Sequence, residues 1–265
     1  MSAAFPAGLL DAATAPYRPA GRVAWHSART KLALDPVYLS LLRRGLIPDR
    51  ARVLDLGCGR GLLGAFLAAA DQLHARGRWP QDWPPPPRAV GFEGIELMAR
   101  DVARAQRALG PHAAVQQGDI RSVAFHAADV VVMLDVLHYV DPTSQDAVLA
   151  RVRAALPANG ILLLRVGDAS AGLPFRLGTW IDHAVAFARS RRRQRLYCRP
   201  IGEWVSWLER LGFGIEAVPM SEGTLFANVL LVARPRPGQP QSSPGGSWPA
   251  HPDRASERTR ISFSK

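Results

Sequence analysis

One acidic residue and three glycines follow one another at two-residue spacing in the stretch Asp55-Leu56-Gly57-Cys58-Gly59-Arg60-Gly61. An apolar run precedes them, and apolar residues recur after them at three- and four-residue spacing, so we predict a strand, a tight turn and a helix. Glycine permits positive φ and a close approach to a ligand, because it has no Cβ. The helix start adds unpaired N–H groups and the positive end of its dipole. This chemistry suits the binding of a cofactor along the turn.

The same letters contain G-x-G-x-x-G, the pattern of dinucleotide-binding proteins, from Gly59 to Gly64. That pattern begins directly after its strand, whereas this strand is predicted to end at Leu56, which makes Gly57 the first glycine of the turn. With Asp55 two residues earlier, the stretch resembles motif I of the class I S-adenosylmethionine (SAM) dependent methyltransferases. The alternative is a tight turn without a ligand. The resemblance implies cofactor contacts from five residues: Asp55, Gly57, Cys58, Gly59 and Gly61.

A second acidic residue, Glu96, ends the predicted strand over 89–97, just before a helix expected at 98–109. In the resembled family, a carboxylate at this strand end accepts hydrogen bonds from both ribose hydroxyls of SAM, which an ionised carboxylate does well. Glu93 is the rival acid of the same strand. Alternatively, Glu96 is a first-turn acid stabilised by the helix dipole. The resemblance places Glu96 and Leu97 in the cofactor site.

A third strand is predicted at 114–117, and Gly118-Asp119-Ile120 follows it. This run resembles the end of the family's third strand. There the aspartate receives the adenine amino group and the next residue packs on the ring, so the resemblance assigns these roles to Asp119 and Ile120. The alternative is a plain Gly-Asp turn.

The apolar run over 128–135 predicts a central parallel strand that is buried on both faces. Asp135-Val136-Leu137-His138-Tyr139-Val140 then resembles a run of small-molecule methyltransferases, and this adds Leu134 and Asp135 to the cofactor site. His138 is the predicted catalytic proton acceptor, because an ordinary histidine pKa of about 6.5 suits proton removal near neutrality. Asp135 would orient the imidazole if a helical turn starts there. Alternatively, His138 only packs against the sheet.

These residues need a fold in which several strand ends meet. Further strands are predicted at 160–166, 213–218 and 228–233, with no helix between the last two. The fold class is therefore α/β, with a Rossmann-like, seven-stranded, mainly parallel sheet, helices on both faces and a C-terminal antiparallel hairpin. SAM is expected across the carboxyl ends of the strands, near the point where the strand order reverses.

The N-terminal region shows little periodicity and is predicted to be an arm, except for a helix that begins at Asp35-Pro36. Trp25, His26 and Arg29 either line a lid over the acceptor or merely pack on the domain. The tail lacks periodicity and is rich in Pro, Ser, Gly and charge, so we expect it to be disordered. The predicted regions are an arm and lid helix at 1–45, a methyltransferase domain at 46–234 and a tail at 235–265.

Two further segments have less chemical content. Residues 76–88 include four consecutive prolines at 84–87, so they are predicted to form an exposed loop before the second strand. Trp180 belongs to a helix predicted after the fifth strand. Trp204 and Trp207 form a stripe that we interpret as core.

Composition limits the functional classes. The chain has 265 residues with 48% hydrophobic content, and it contains no apolar run of membrane-spanning length and no secretory pattern. Two cysteines, Cys58 and Cys198, provide no disulfide framework and no metal cluster, so we expect a cytoplasmic protein without a metal. The net charge of +11 suggests nucleic acid, an anionic membrane or an acidic protein as a partner. Nearly all of the positive charge is arginine, however, and an enrichment in arginine often reflects the base composition of a genome.

The predicted activity is SAM-dependent methyl transfer to a small-molecule or carrier-bound acceptor, such as a phenol, a quinone precursor, or an acyl or polyketide unit. The alternatives are an RNA or protein methyltransferase and a non-catalytic partner protein with the same fold. Amino-directed nucleic-acid enzymes carry Asp/Asn-Pro-Pro-Tyr/Phe after the fourth strand, where this chain has Leu134-Asp135-Val136-Leu137. Nucleic acid is therefore not the expected partner.

Six arginines between 189 and 199 are predicted to face solvent near the acceptor entrance. They form either a solvated helix end or a docking patch for an acidic carrier protein that presents the acceptor.

Overall fold

The computed structural model describes residues 6–169, 195–220 and 228–237. One sheet of seven strands, in the order β3-β2-β1-β4-β5-β7-β6, runs through these residues. The first five strands are parallel, and β7 is antiparallel to both β5 and β6. The predicted mainly parallel sheet with a closing hairpin is thereby confirmed. The strands are β1 Arg52–Leu56, β2 Gly91–Glu96, β3 Ala113–Gln117, β4 Val130–Leu134, β5 Ile161–Gly167, β6 Phe213–Pro219 and β7 Asn228–Pro235.

Helices cover both faces of the sheet, because successive strand residues point to opposite sides. Val53 belongs to an apolar layer shared with α3 and α4, whereas Leu54 belongs to the layer shared with α6 and α7. The α-helices of the described residues are α1 Leu9–Thr14, α2 Arg22–Leu34, α3 Pro36–Arg43, α4 Leu62–Ala75, α5 Ala99–Leu109, α6 Pro142–Ala155 and α7 Ile201–Arg210. Short 3-10 helices lie at Ala15–Ala20, Gly110–His112 and Leu137–Tyr139.

Helices α1 and α2 lie before residue 35, where the sequence shows little periodicity and no helix was predicted. The division into an arm and lid helix at 1–45 stays a prediction. Leu9 of α1 and Leu32 of α2 are completely buried and join the core layer on the α4 side of the sheet. The physical reason is that these short helices bury few but large apolar side chains, which leaves only a faint periodic pattern. The helix start at Asp35 is confirmed, since its carboxylate accepts a hydrogen bond from the N–H of Val37 at 3.2 Å.

The proline-rich segment before β2 is irregular, as predicted, but its centre is not exposed. Trp83 is buried, stacks edge-on against Trp79 and lies under the guanidinium of Arg43. The indole N–H of Trp79 donates to the carbonyl of Pro84 at 2.9 Å. The two rings cover the core beside α3. The run of prolines did not indicate this apolar packing.

Trp204 is buried in the core, as expected. The predicted helix around Trp180, most of the arginine run and the residues of the tail beyond 237 lie outside the described residues. Of the two arginines that are described, Arg195 is exposed. Arg199 was predicted to face solvent, but its Nη2 instead lies 2.9 Å from Oδ1 of Asp146, with which it forms an ion pair. In the described part of the chain, no helix is both long and apolar enough to cross a membrane.

Candidate active site

The turn after β1 has the backbone conformation that its glycines allow. Gly57 has φ +80° and Gly61 has φ +76°. A Cβ on Gly57 would lie 2.6 Å from Cγ2 of Val136, so the position lacks space as well. The N–H groups of Gly57 and Cys58 donate to the carbonyl of Ile95 at 2.8 and 3.1 Å. The glycine loop is thereby fixed against the end of β2.

Glu96 ends β2 and points toward this loop. Its carboxylate accepts the N–H of Gly59 at 3.0 Å through Oε2 and the N–H of Met98 at 2.9 Å through Oε1. An ionised carboxylate can accept about four hydrogen bonds, so each oxygen keeps capacity for a ligand hydroxyl. Leu97 follows with 52% of its surface exposed, which provides apolar area beside the carboxylate.

The rival acid Glu93 has a different environment. It is buried, accepts a hydrogen bond from Nε2 of Gln116 at 3.0 Å and lies 2.8 Å from Nδ1 of His126. Because Glu93 and Glu96 are three residues apart in one strand, their side chains face opposite sides of the sheet. Glu93 therefore belongs to a buried polar cluster away from the glycine loop.

Asp55 and Cys58 are both buried close to Glu96. Burial, together with repulsion from the Glu96 carboxylate, raises the pKa of Asp55 to about 8. Burial also raises the pKa of the Cys58 thiol, so Cys58 remains protonated. A Cβ on Gly94 would lie 2.7 Å from Sγ of Cys58, which shows how closely the loop packs on β2. Gly94 was not among the predicted site residues.

Asp119 follows β3 and lies beside the end of β2, because the N–H of Gly118 donates to the carbonyl of Glu96 at 3.0 Å. Its carboxylate accepts hydrogen bonds from Nε and Nη2 of Arg121 at 3.0 and 2.6 Å. These bonds hold the pKa of Asp119 below its usual value, against a smaller opposing effect of burial. Ile120 is buried in the core on the α6 side. The sequence motif did not predict that Asp119 pairs with Arg121.

Asp135 follows Leu134 at the end of β4 and has φ +56°, which is uncommon for a residue with a side chain. Its carboxylate accepts Nε of Arg165 at 2.8 Å, and Lys31 Nζ lies 3.6 Å away. Burial raises the pKa of Asp135, but Arg165 and Lys31 outweigh it and hold that pKa well below the usual range. Asp135 is thus part of an ion cluster that the motif did not indicate. Its predicted role in orienting His138 stays a prediction.

Arg165 binds a second carboxylate, that of Asp35, through Nη1 and Nη2. Lys31 Nζ lies 2.8 Å from Asp35 Oδ2. Sequence analysis did not assign any of these three residues to the site. The available signal in the sequence was Arg165 itself, which lies among the leucines of β5. A buried charge needs partners, so its position indicated that acidic residues lie nearby.

His138 lies in the 3-10 helix Leu137–Tyr139, four residues after β4. Its carbonyl accepts the N–H of Tyr197 at 2.8 Å, and its ring centroid is 4.1 Å from that of Tyr139. The buried amide of Gln145 donates to the carbonyls of Leu137 and Val140, both at 2.9 Å. The turn that carries His138 is therefore fixed from α6, whose N-cap is Asp141.

The N-terminal helices contact the glycine loop. The hydroxyl of Tyr17 donates to the carbonyl of Arg60 at 2.9 Å, and Nη1 of Arg60 lies 3.4 Å from Oγ of Ser27. The ring of Trp25 lies tilted against that of the exposed His26, with the ring centroids 4.6 Å apart. These contacts place α2 beside the predicted cofactor loop, and the lid role of Trp25, His26 and Arg29 stays a prediction.

A family model described as a methyltransferase domain matches residues 24–218. The chain belongs to this methyltransferase family. The matched range includes the glycine loop, Glu96 and the His138 turn. With the observed strand order, the protein is a class I SAM-dependent methyltransferase, and SAM is its cofactor.

The methyltransferase is 34% identical to the carboxy-S-adenosyl-L-methionine synthase of Chromohalobacter salexigens over 130 residues, which are 45% of this chain and 43% of the relative. The chain therefore matches less than half the length of this curated relative. Two solved structures share the fold. Magnesium protoporphyrin IX methyltransferase from Synechocystis PCC 6803 has 18% identity and a TM-score of 0.53, over 86% of this chain and 97% of that chain. An O-methyltransferase from neocarzinostatin biosynthesis has 20% identity and a TM-score of 0.52, over 85% of this chain and 60% of that chain.

The residues of the methyltransferase fit SAM. Glu96 keeps free acceptor capacity at the loop, which suits the ribose hydroxyls. Leu97 offers exposed apolar surface for the adenine. Beside them, the glycine loop presents backbone without side chains in the way. The individual cofactor contacts of Asp55, Asp119 and the other predicted residues stay predictions.

Proposed function

We propose that this methyltransferase transfers a methyl group to a small-molecule or carrier-bound acceptor with an acidic hydroxyl, such as a phenol or a quinone precursor, and that His138 accepts the proton. The observation that carries the proposal is the turn at Leu137–Tyr139, which Gln145 and the N–H of Tyr197 fix at the carboxyl end of β4. Such fixed placement is what a general base requires.

When bound, SAM supplies a methyl group that its sulfonium already activates. The protein therefore mainly aligns two reactants and excludes water. The glycine loop and Glu96 hold the nucleoside end. The acceptor oxygen would bond to the methyl carbon as that carbon's bond to the sulfonium sulfur breaks, so that the thioether product leaves with the bonding electron pair. The imidazole of His138 would take the proton of the acceptor, so that positive charge does not build up on the oxygen.

Two residues argue against activity as an amino-directed nucleic-acid methyltransferase. Asp135 stands where those enzymes carry the first residue of their Asp/Asn-Pro-Pro motif, and its carboxylate is bound to Arg165. The next residue is Val136, which packs over Gly57, rather than proline. A protein or RNA acceptor of another type remains the alternative function.

The test uses the purified protein with SAM and a panel of phenols, hydroxyquinones and acyl thioesters, with the cofactor product identified by mass. We expect S-adenosylhomocysteine (SAH) in the presence of a hydroxylated acceptor. His138→Ala should lower kcat by about 10²–10⁴-fold and remove the acidic limb of the pH–rate profile, while SAH affinity stays unchanged.

Other products would contradict the proposal. Conversion of SAM to carboxy-S-adenosylmethionine would indicate the reaction for which the curated relative is named. SAH formation only with RNA or protein would support the alternative acceptor class. Near-normal kcat in His138→Ala would leave alignment as the function of the site, with the base elsewhere.

A further inference from the structure

Four charged residues form a cluster between the N-terminal helices and the ends of β4 and β5. We call Lys31, Asp35, Asp135 and Arg165 the strand-end cluster. Arg165 is only 2% exposed and binds both carboxylates, at 2.8 Å from Nε to Asp135 and 2.8 Å from Nη2 to Asp35. Because two acids face one guanidinium, Lys31 is the charge that makes the cluster neutral.

Lys31 differs from its partners in exposure. Its side chain is 46% exposed, whereas those of Asp35 and Asp135 are 9% and 29% exposed. Loss of the lysine charge would leave one net negative charge among buried carboxylates, which is unfavourable. Lys31 itself can be replaced without burying a new polar group.

Helix α2 carries two contacts to the two loops that flank the cofactor position. Ser27 meets Arg60 of the glycine loop, and Lys31 meets Asp135 after β4. These residues are four apart, so they lie one above the other on the same helix face. The helix thus connects the two loops through adjacent side chains.

We propose that Lys31 is a positioning residue for cofactor binding. Through the strand-end cluster it holds Asp135 in its left-handed backbone conformation and keeps the loop after β4 in register with the glycine loop. The residue acts through Asp135 and does not itself contact SAM. The inference concerns the cofactor and holds for any acceptor.

The first test is calorimetric titration of the full chain with SAM and with SAH. Lys31→Met, which keeps the side-chain length without the charge, should weaken both ligands by about 3- to 30-fold. Lys31→Arg should restore affinity. A direct electrostatic effect would act differently, because removal of a cation would favour the sulfonium of SAM over SAH. Improved SAM affinity, or unchanged affinity for both ligands, would overturn the proposal.

The second test asks whether charge balance is the cause. Asp35→Asn keeps a good N-cap for α3 but leaves the cluster positive. In the Asp35→Asn background, Lys31→Met should cost markedly less affinity, since the remaining Arg165 and Asp135 balance each other. An equal cost in both backgrounds would mean that Lys31 acts by packing alone, and this would contradict the proposal.

Hydrogen exchange of the same proteins supplies a readout besides affinity. Lys31→Met should increase amide exchange at 135–139 and in α2, while the melting temperature stays close to that of the wild type. Arg44→Met is the matched control. Arg44 also belongs to the N-terminal region, but it forms an exposed ion pair with Glu216 of β6. Unchanged exchange at 135–139 in Lys31→Met would overturn the proposal.

Discussion

Asp55 and Glu96 are two acids of the predicted cofactor site, and their environments differ. Glu96 receives two backbone N–H groups, whereas Asp55 lies in the interior with its pKa raised to about 8. At neutral pH, Asp55 is therefore mainly protonated. A neutral group can support the loop without adding a second negative charge beside Glu96.

The pH dependence of stability should reveal the proton on Asp55. Its folded pKa is raised, so its contribution is fully present below the ordinary value of 3.8 and is lost as the pH rises through about 8. Between these two pH values, the contribution of Asp55 to the free energy of unfolding of the apo protein should fall by about 1.4 kcal/mol per pH unit. Asp55→Asn should lack this component. Urea unfolding across the window measures it, and equal slopes for the two proteins would contradict the assignment.

Glu96 should carry much of the affinity for the nucleoside. We predict that Glu96→Ala weakens SAM binding by about 1–3 kcal/mol, because the ribose loses charge-assisted hydrogen bonds and the N–H of Gly59 loses its acceptor. Glu93→Gln is the matched control. It should reduce stability through its buried cluster but leave SAM affinity intact. If calorimetry shows the same loss for both variants, the ribose assignment fails.

At the scale of elements, the β-strands were predictable and the N-terminal helices were not. Buried parallel strands such as β4 are apolar throughout, so they stand out in the sequence. In α2, buried positions such as Leu32 alternate with polar residues, so the apolar pattern is faint. The turn at Leu137–Tyr139 was expected only conditionally, since its supports are hydrogen bonds from Gln145 and Tyr197 rather than a local pattern.

Gln145 should be the main support of that turn. Its amide nitrogen lies 2.9 Å from the carbonyl oxygens of Leu137, Val140 and Tyr197. Gln145→Met keeps the volume but removes the donors, so it should lower the free energy of unfolding by about 1–3 kcal/mol. It should also reduce kcat with SAH affinity unchanged. Urea unfolding and titration measure these two effects, and wild-type stability would show that the bonds contribute little.

At the scale of the molecule, the N-terminal helices and the sheet share one core. Leu9 and Leu32 pack in the same layer as Val53 of β1 and Leu163 of β5. No sequence pattern could show this, because the contacts join residues far apart in the chain. The same holds for the strand-end cluster, where Asp35 and Arg165 are 130 residues apart. The motifs therefore predicted the strand ends and the glycine turn, and they did not indicate the residues that connect these loops to the rest of the molecule.

A pair of substitutions in α2 tests this shared core. Leu32 is 0% exposed, whereas Val23 in the same helix is 85% exposed. Leu32→Ala should lower the free energy of unfolding by about 2–5 kcal/mol, because it leaves a cavity in the core. Val23→Ala should change it by less than about 0.5 kcal/mol. If thermal unfolding shows similar small effects for both, the N-terminal helices are an independent arm after all.

The place of β7 affects how the protein is made. Among the described residues, β7 is the last strand along the chain, yet it lies between β5 and β6. During synthesis, β5 therefore keeps an open edge until residues 228–235 are available, and an unpaired apolar edge invites association with other chains. A message that stops before Asn228 would already encode every predicted cofactor residue. Its product should nevertheless aggregate, so truncated transcripts of this gene should yield insoluble protein instead of a weakened enzyme.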